Sequence, residues 1–224
     1  MKKIVICICS FFLLITFTGC IEIFENIIFD KKGGGYVQLK LDMSQMAAMM
    51  ESMKGMGDGI KEDKSVSKED DPSTTGKQMT SDWERFKEIE GITNVNIMQD
   101  TVGMIYTVDY DFVNEVALNK ALTTKGDNSD KGKKKYAIGR SSITRNDSND
   151  FENMTDSKDE EEVEMMKTMM ADMKFHLSIS VPGNIKSVSN KKAVISDDKK
   201  TIKLETSYKD ISEKTTSLGM KINY

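Results

Sequence analysis

IEIFENIIFDKKGGGYVQLKLDMS, residues 21–44, decides the fold. Ile21, Ile23, Ile27, Ile28 and Phe29 are β-prone, with Glu22, Glu25 and Asn26 between them. Asp30 to Gly35 carries three consecutive glycines, which tolerate positive φ, and reads as a turn. Val37, Leu39 and Leu41 then alternate with Tyr36, Gln38 and Lys40, the period-2 pattern of a strand with one buried face. The stretch therefore predicts a β-hairpin over 21–41. Asp42 or Ser44 caps a following helix, on which Met46, Met49, Met50 and Met53 share one face at i, i+3, i+4 and i+7.

Upstream of the hairpin stand twenty residues of a different kind, MKKIVICICSFFLLITFTGC. Lys2 and Lys3 precede an apolar stretch from Ile4 to Phe17, which is short for a membrane span of roughly 20 apolar residues. This reads as a secretory signal over 1–19. Thr18-Gly19-Cys20 resembles the lipobox of bacterial lipoproteins. The resemblance implies cleavage before Cys20 and acylation of its sulfur. An ordinary signal with a chance cysteine, or an uncleaved anchor, are the alternatives. Cys7 and Cys9 leave with the signal, so the mature chain keeps no thiol for a disulfide. The formal charge of −4 becomes more negative when Lys2 and Lys3 are removed, which argues against a nucleic-acid partner.

Downstream, strand and helix patterns interleave while strands join through short turns. That predicts an α+β fold over 20–224, with a mostly antiparallel sheet, two Met-rich amphipathic helices and polar disordered insertions. Ser81 is the expected cap of a short helix bearing Trp83 and Phe86. Ile92 to Met98 and Val102 to Tyr110 read as paired strands with a turn at 99–101. Asp111 is the expected cap of a helix over Val113 to Leu122, and Tyr136 to Ile143 reads as one weak strand. A second Met helix over about 159–173 carries Met165, Met166, Met169, Met170 and Met173. Phe175 to Val181 alternates clearly. A Pro182-Gly183 turn, a meander through 193–204, a short turn or helix at 208–213 and a last strand to Tyr224 follow. The stretches 57–80, 123–134 and 146–160 are too polar to offset the entropy of ordering and read as mobile insertions.

Three places together resemble the LppM-like domain of bacterial lipoproteins. They are the hairpin that follows Cys20, with IIFDKKGGGYVQLKLDMS at 27–44, DFVNEVALNKAL at 111–122, and FHLSISVPGNIKSVSN with AVISDDKKTIKLET across 175–206. The resemblance implies an α+β envelope-facing domain, with lipid binding suggested for some members.

No catalytic signature stands out. The Met clusters admit three readings. One is soft-metal capture of Cu(I) by thioethers, another is an adaptable surface for a lipid, peptide or partner, and the third is a core-facing helix with Met in place of Leu. The core is preferred for the 46-49-50-53 face. His176 lies on the polar face of a strand without a partnering nucleophile. Gly33-Gly34-Gly35 lacks the helix that a phosphate loop needs. Glu160 to Glu162, with Asp156 and Asp159, lack the spacing of a Ca²⁺ loop. The expected protein is a non-enzymatic lipoprotein without a cofactor, anchored through Cys20 at the periplasmic face of the outer membrane. An apolar ligand or an envelope protein is its expected partner, with copper handling as the alternative. Deleting 60–78 should leave the melting temperature nearly unchanged. Thermal unfolding of the deletion variant checks this, and a large drop would show that the segment packs.

Overall fold

A computed structural model describes residues 21–56, 80–123, 134–147 and 170–224, with the side chains at 49, 50 and 53–56 outside the description. The hairpin forms as its sequence predicts. Strands β1 (Glu22–Phe29) and β2 (Gly35–Asp42) pair antiparallel from Glu22↔Asp42 to Phe29↔Gly35. Asp30 organises the turn, its Oδ1 accepting from the Lys32 and Gly34 amides at 2.6 and 2.9 Å. Gly33 sits at φ +86°, and a Cβ on Gly35 would lie 1.9 Å from the Ile28 carbonyl oxygen. A side chain at 35 would force the two strands apart.

β2 leads into helix α1 (Ser44–Met56), with the Asp42 carboxylate accepting from the Ser44 amide. Strands β3 (Ile92–Asp100) and β4 (Ile105–Phe112) form the next hairpin. Its turn is Thr101–Met104 rather than 99–101, and Val102 is exposed at the tip instead of lying in a strand. Helix α2 (Glu115–Leu122) is capped by Asn114, whose Oδ1 accepts from the Ala117 amide. The expected cap, Asp111, is consumed by strand pairing with Tyr36. Likewise Ser81 does not cap its helix, because Thr80 before it is already helical and buried.

The expected weak strand over 136–143 is two strands, β5 (Tyr136–Ile138) and β6 (Ser142–Arg145), folded on each other. The remaining strands are β7 (Lys174–Ser180), β8 (Ser187–Val188), β9 (Val194–Ile195), β10 (Thr201–Ser207) and β11 (Met220–Asn223). Helix α3 (Tyr208–Ser212) follows β10. Seven strands make one sheet in the order β3-β4-β2-β1-β7-β10-β9, and four make a second, β5-β6-β11-β8. Every pairing is antiparallel except β1 with β7, which places β1 at the centre of a mixed sheet in an α+β fold.

Alternation assigns the faces. Ile27, Val37, Tyr110, Leu177, Ile179, Ile202 and Leu204 point to one side, where Tyr136, Ile143, Met220 and Ile222 of the second sheet join the same core. Ala117, Leu118 and Ala121 of α2 complete it. A smaller cluster of Leu41, Met43, Met104 and Tyr106 lies where α1 begins. The exposed edge strand β3 carries a register shift between Thr93 and Asn96, with Asn94 at φ 54°, an irregularity that disfavours edge-to-edge pairing.

Of the second Met helix, only the turn at 170–171 is described. Met170 and Met173 are 6% and 5% exposed and belong to the main core. Met173→Ala should therefore destabilise the protein by about 2–5 kcal/mol, as emptying a buried Met site does. Met98→Ala, on an exposed side chain, should cost under about 0.5 kcal/mol. Urea unfolding of the two variants checks the contrast.

Candidate functional site

β1 places a charge where its own alternation calls for an apolar residue. Ile21, Ile23, Ile27 and Phe29 face the core, and Glu25 shares their parity. Its side chain is 13% exposed and meets Arg145 of β6, which is 1% exposed, at 3.0 Å. Tyr136 of β5 donates its hydroxyl to Glu25 Oε1 at 2.7 Å, and Lys135 Nζ stands 3.8 Å from Oε2. One carboxylate thus collects an arginine, a lysine and a phenol from the second sheet.

The electrostatics follow from burial and charge. Burial alone raises the Glu25 carboxyl, but the charges of Arg145 and Lys135, with hydrogen bonds from Arg145 and Tyr136, outweigh it and hold the group at about 2. Tyr136 is pushed upward, first by burial and then by the neighbouring carboxylate. Burial and the same carboxylate raise Tyr110 also. A carboxylate so strongly held is a poor proton acceptor, and phenols so raised are poor proton donors. The cluster is suited to joining two sheets rather than to moving protons.

Helix α2 extends that junction. Asn119 donates to the Tyr136 carbonyl and accepts from the Tyr136 amide, both at 2.8 Å, while Glu115 accepts from the Ile138 amide at 2.7 Å. These side chains satisfy the free edge of β5. Arg85 donates to the carbonyls of Ala121 and Thr123 at 2.8 Å each, neutralising the C-terminal end of α2.

A second constellation occupies the opposite face of the large sheet. Phe24 stacks on His176 with ring centroids 4.4 Å apart and planes 10° from parallel. Lys40 Nζ lies 4.9 Å from the Phe24 centroid and 2.9 Å from Asp42. His176 Nε2 is 3.4 Å from Glu22 and Nδ1 is 3.7 Å from Glu205. The histidine is therefore on the polar face, as its alternation predicts, between two carboxylates and against an aromatic ring. Among the described residues, no three His, Cys, Asp or Glu side chains are grouped to hold a metal ion.

The residues singled out from the sequence fall into three groups. Cys20, Met165, Met166 and Met169 lie outside the described residues, as do Asp156 and Asp159 to Glu162. Met49, Met50 and Met53 have a helical backbone in α1 and no described side chain. Met46 is half-buried against the small cluster of Leu41, Met43, Met104 and Tyr106. Met170 and Met173, which the sequence also offers as ligand-facing, are buried in the main core. Trp83 is half-buried and Phe86 fully buried, its ring meeting Tyr110 edge-on at 5.0 Å.

No known protein family matches the sequence, and no curated protein sequence matches it. A solved structure that resembles the chain is the folded domain of LppM from Mycobacterium tuberculosis. It has 9% sequence identity and a TM-score of 0.38, with 92% of this chain and 91% of that one covered. At that distance no residue role passes from one to the other.

Glu25→Ala removes the carboxylate that Arg145 meets in the interior and should cost about 3–5 kcal/mol, whereas Glu25→Leu combined with Arg145→Met should recover most of the loss. The pH dependence has a definite sign. The folded carboxyl lies below its ordinary 4.5, so its stabilisation is complete above that value and disappears as pH falls through about 2. Acid titration of stability should show a slope in that window for the native protein and a weaker one for Glu25→Gln.

Proposed function

We propose that the protein is a non-enzymatic lipoprotein of the bacterial cell envelope, held by an acylated Cys20, and that it works as a binding or structural module at the membrane surface. The observation that carries this reading is the junction at residues 20 and 21. Thr18-Gly19-Cys20 closes an apolar signal-like stretch, and Ile21 is already bonded into the sheet, its carbonyl accepting from the Lys174 amide at 3.0 Å. An acyl anchor would then hold the folded body without a spacer. Among the described residues no helix is long and apolar enough to cross a membrane.

The binding role is supported by the face built from Phe24, His176, Lys40, Glu22 and Glu205, which offers an aromatic surface with both signs of charge. An apolar ligand or another envelope protein is the partner class, and the periplasmic face of the outer membrane is the proposed location. The soft-metal reading has no comparable support, since Met170 and Met173 are committed to the core.

Cys20→Ser should abolish acylation and move the protein from the membrane fraction to the soluble fraction, because a lipid chain contributes about 0.8 kcal/mol per buried CH₂ and two chains anchor stably. Fractionation with a salt wash and mass measurement of the N-terminal peptide check it. A cleaved serine variant that stayed on the membrane would overturn the anchor.

A further inference from the structure

We infer that the protein stands on the bilayer with one end of the large sheet, and that the β3–β4 turn, with Val102 at its tip, is the contact that touches lipid. The inference rests on the anchor reading above and adds an orientation to it. Cys20 is bonded to Ile21, so an anchored sulfur cannot be farther from the sheet than about one residue's span of roughly 3.5 Å plus its side chain. Ile21 marks the end of the sheet where Glu22 pairs with Asp42, Asp42 with Ile105, and Ile105 with Asp100. The turn 101–104 closes that same end, two to three strand spacings from β1, or roughly 10–15 Å.

The chemistry of the β3–β4 tip points the same way. At the anchor end the Asp100 carboxylate is folded inward, its Oδ1 accepting from the Val102 and Gly103 amides at 3.1 and 2.8 Å. The tip therefore turns an apolar side chain outward, 89% exposed, while those two backbone donors are already satisfied. That combination suits the boundary between headgroups and acyl chains, where unsatisfied backbone groups are costly. Behind it, Met104 and Met43 are joined by a backbone hydrogen bond of 3.0 Å and pack with Ile21 and Ile23. The opposite end presents charge. Asp30, Lys31 and Lys32 are exposed in the β1–β2 turn, and Asp197, Asp198, Lys199 and Lys200 are exposed in the turn before β10. The anchor end carries exposed charge as well, at Asp172 and Lys209 beside β7 and β10, so the sealed apolar tip is what sets the β3–β4 corner apart from the rest of that end.

The mature chain offers a clean test because its single remaining cysteine would be acylated. Val102→Cys and Lys32→Cys, each in the full-length acylated protein, are labelled with an environment-sensitive fluorophore. Both are reconstituted into phosphatidylethanolamine–phosphatidylglycerol vesicles carrying a headgroup-level nitroxide lipid. Both positions are exposed, so both labelled chains should keep the parent far-ultraviolet spectrum. The expected result is a blue-shifted, strongly quenched label at 102 and an unshifted, unquenched label at 32. With acylation of Cys20 verified by mass, equal quenching at both sites, quenching only at 32, or none at either overturns the orientation and leaves the anchor standing. A mass that shows Cys20 unmodified overturns the anchor reading and the orientation with it.

Discussion

The contact between Glu25 and Arg145 is the constraint on which the two-sheet arrangement depends. It brings together two buried groups of opposite charge, a carboxylate on the core parity of β1 and a guanidinium on β6, each of which would be costly to bury without a charged partner. Paired, they fix how the small sheet sits over the large one. Arg145 can reach Glu25 only if β6 lies across β1, and the Tyr136 hydroxyl, bonding the other carboxylate oxygen, fixes β5 as well. Apolar contacts such as Phe29 against Tyr136, with centroids 5.8 Å apart, supply burial but specify position less sharply. The polar cluster selects one packing among several that the same apolar surfaces would allow.

That selection explains the arrangement around α2. The small sheet leaves β5 as an edge, and β5 is only three residues long. Asn119 and Glu115 on α2 bond its backbone, and Arg85 closes the end of the same helix. The chain thus secures its second sheet through side chains of sequence-distant elements rather than through long strand ladders. Substitutions in this region act on sheet placement first and on local helix content second.

Strong alternation made much of this fold legible in the sequence. The stretches 36–41 and 175–181 have a clear period of two, and both form the strands expected of them. The Asp111 cap was misread because Asp111 and Asn114 are both good caps, and only the length of β4 decides between them. The two strands at 136–145 were read as one because Gly139 and Arg140 give a weak turn signal inside a short run. The interior cluster was missed for a different reason. Glu25 stood in the sequence as one of several polar residues between isoleucines, although its parity with Ile23 and Ile27 marks it as core-facing. Its partners lie 110 residues and more downstream, and no local pattern announces them.

The position of β1 links stability to attachment. It has an antiparallel partner on one side and a parallel one on the other, its seven or eight register pairs on each side fastening it to β2 and β7. It also carries Glu25, and it begins at Glu22, with only Ile21 between it and the proposed anchor. A force applied at Cys20 would load the centre of the sheet in shear along β1 rather than peel an edge strand. Shear requires many backbone hydrogen bonds to break together, whereas peeling breaks them in sequence. With the proposed anchor in place, lateral displacement of its lipid would reach the first residues directly, and joining the anchor to a central strand paired on both sides limits what that displacement can disturb. The same rigidity is what makes an orientation on the membrane meaningful, since a body attached through a flexible tether would present no particular end to the lipid.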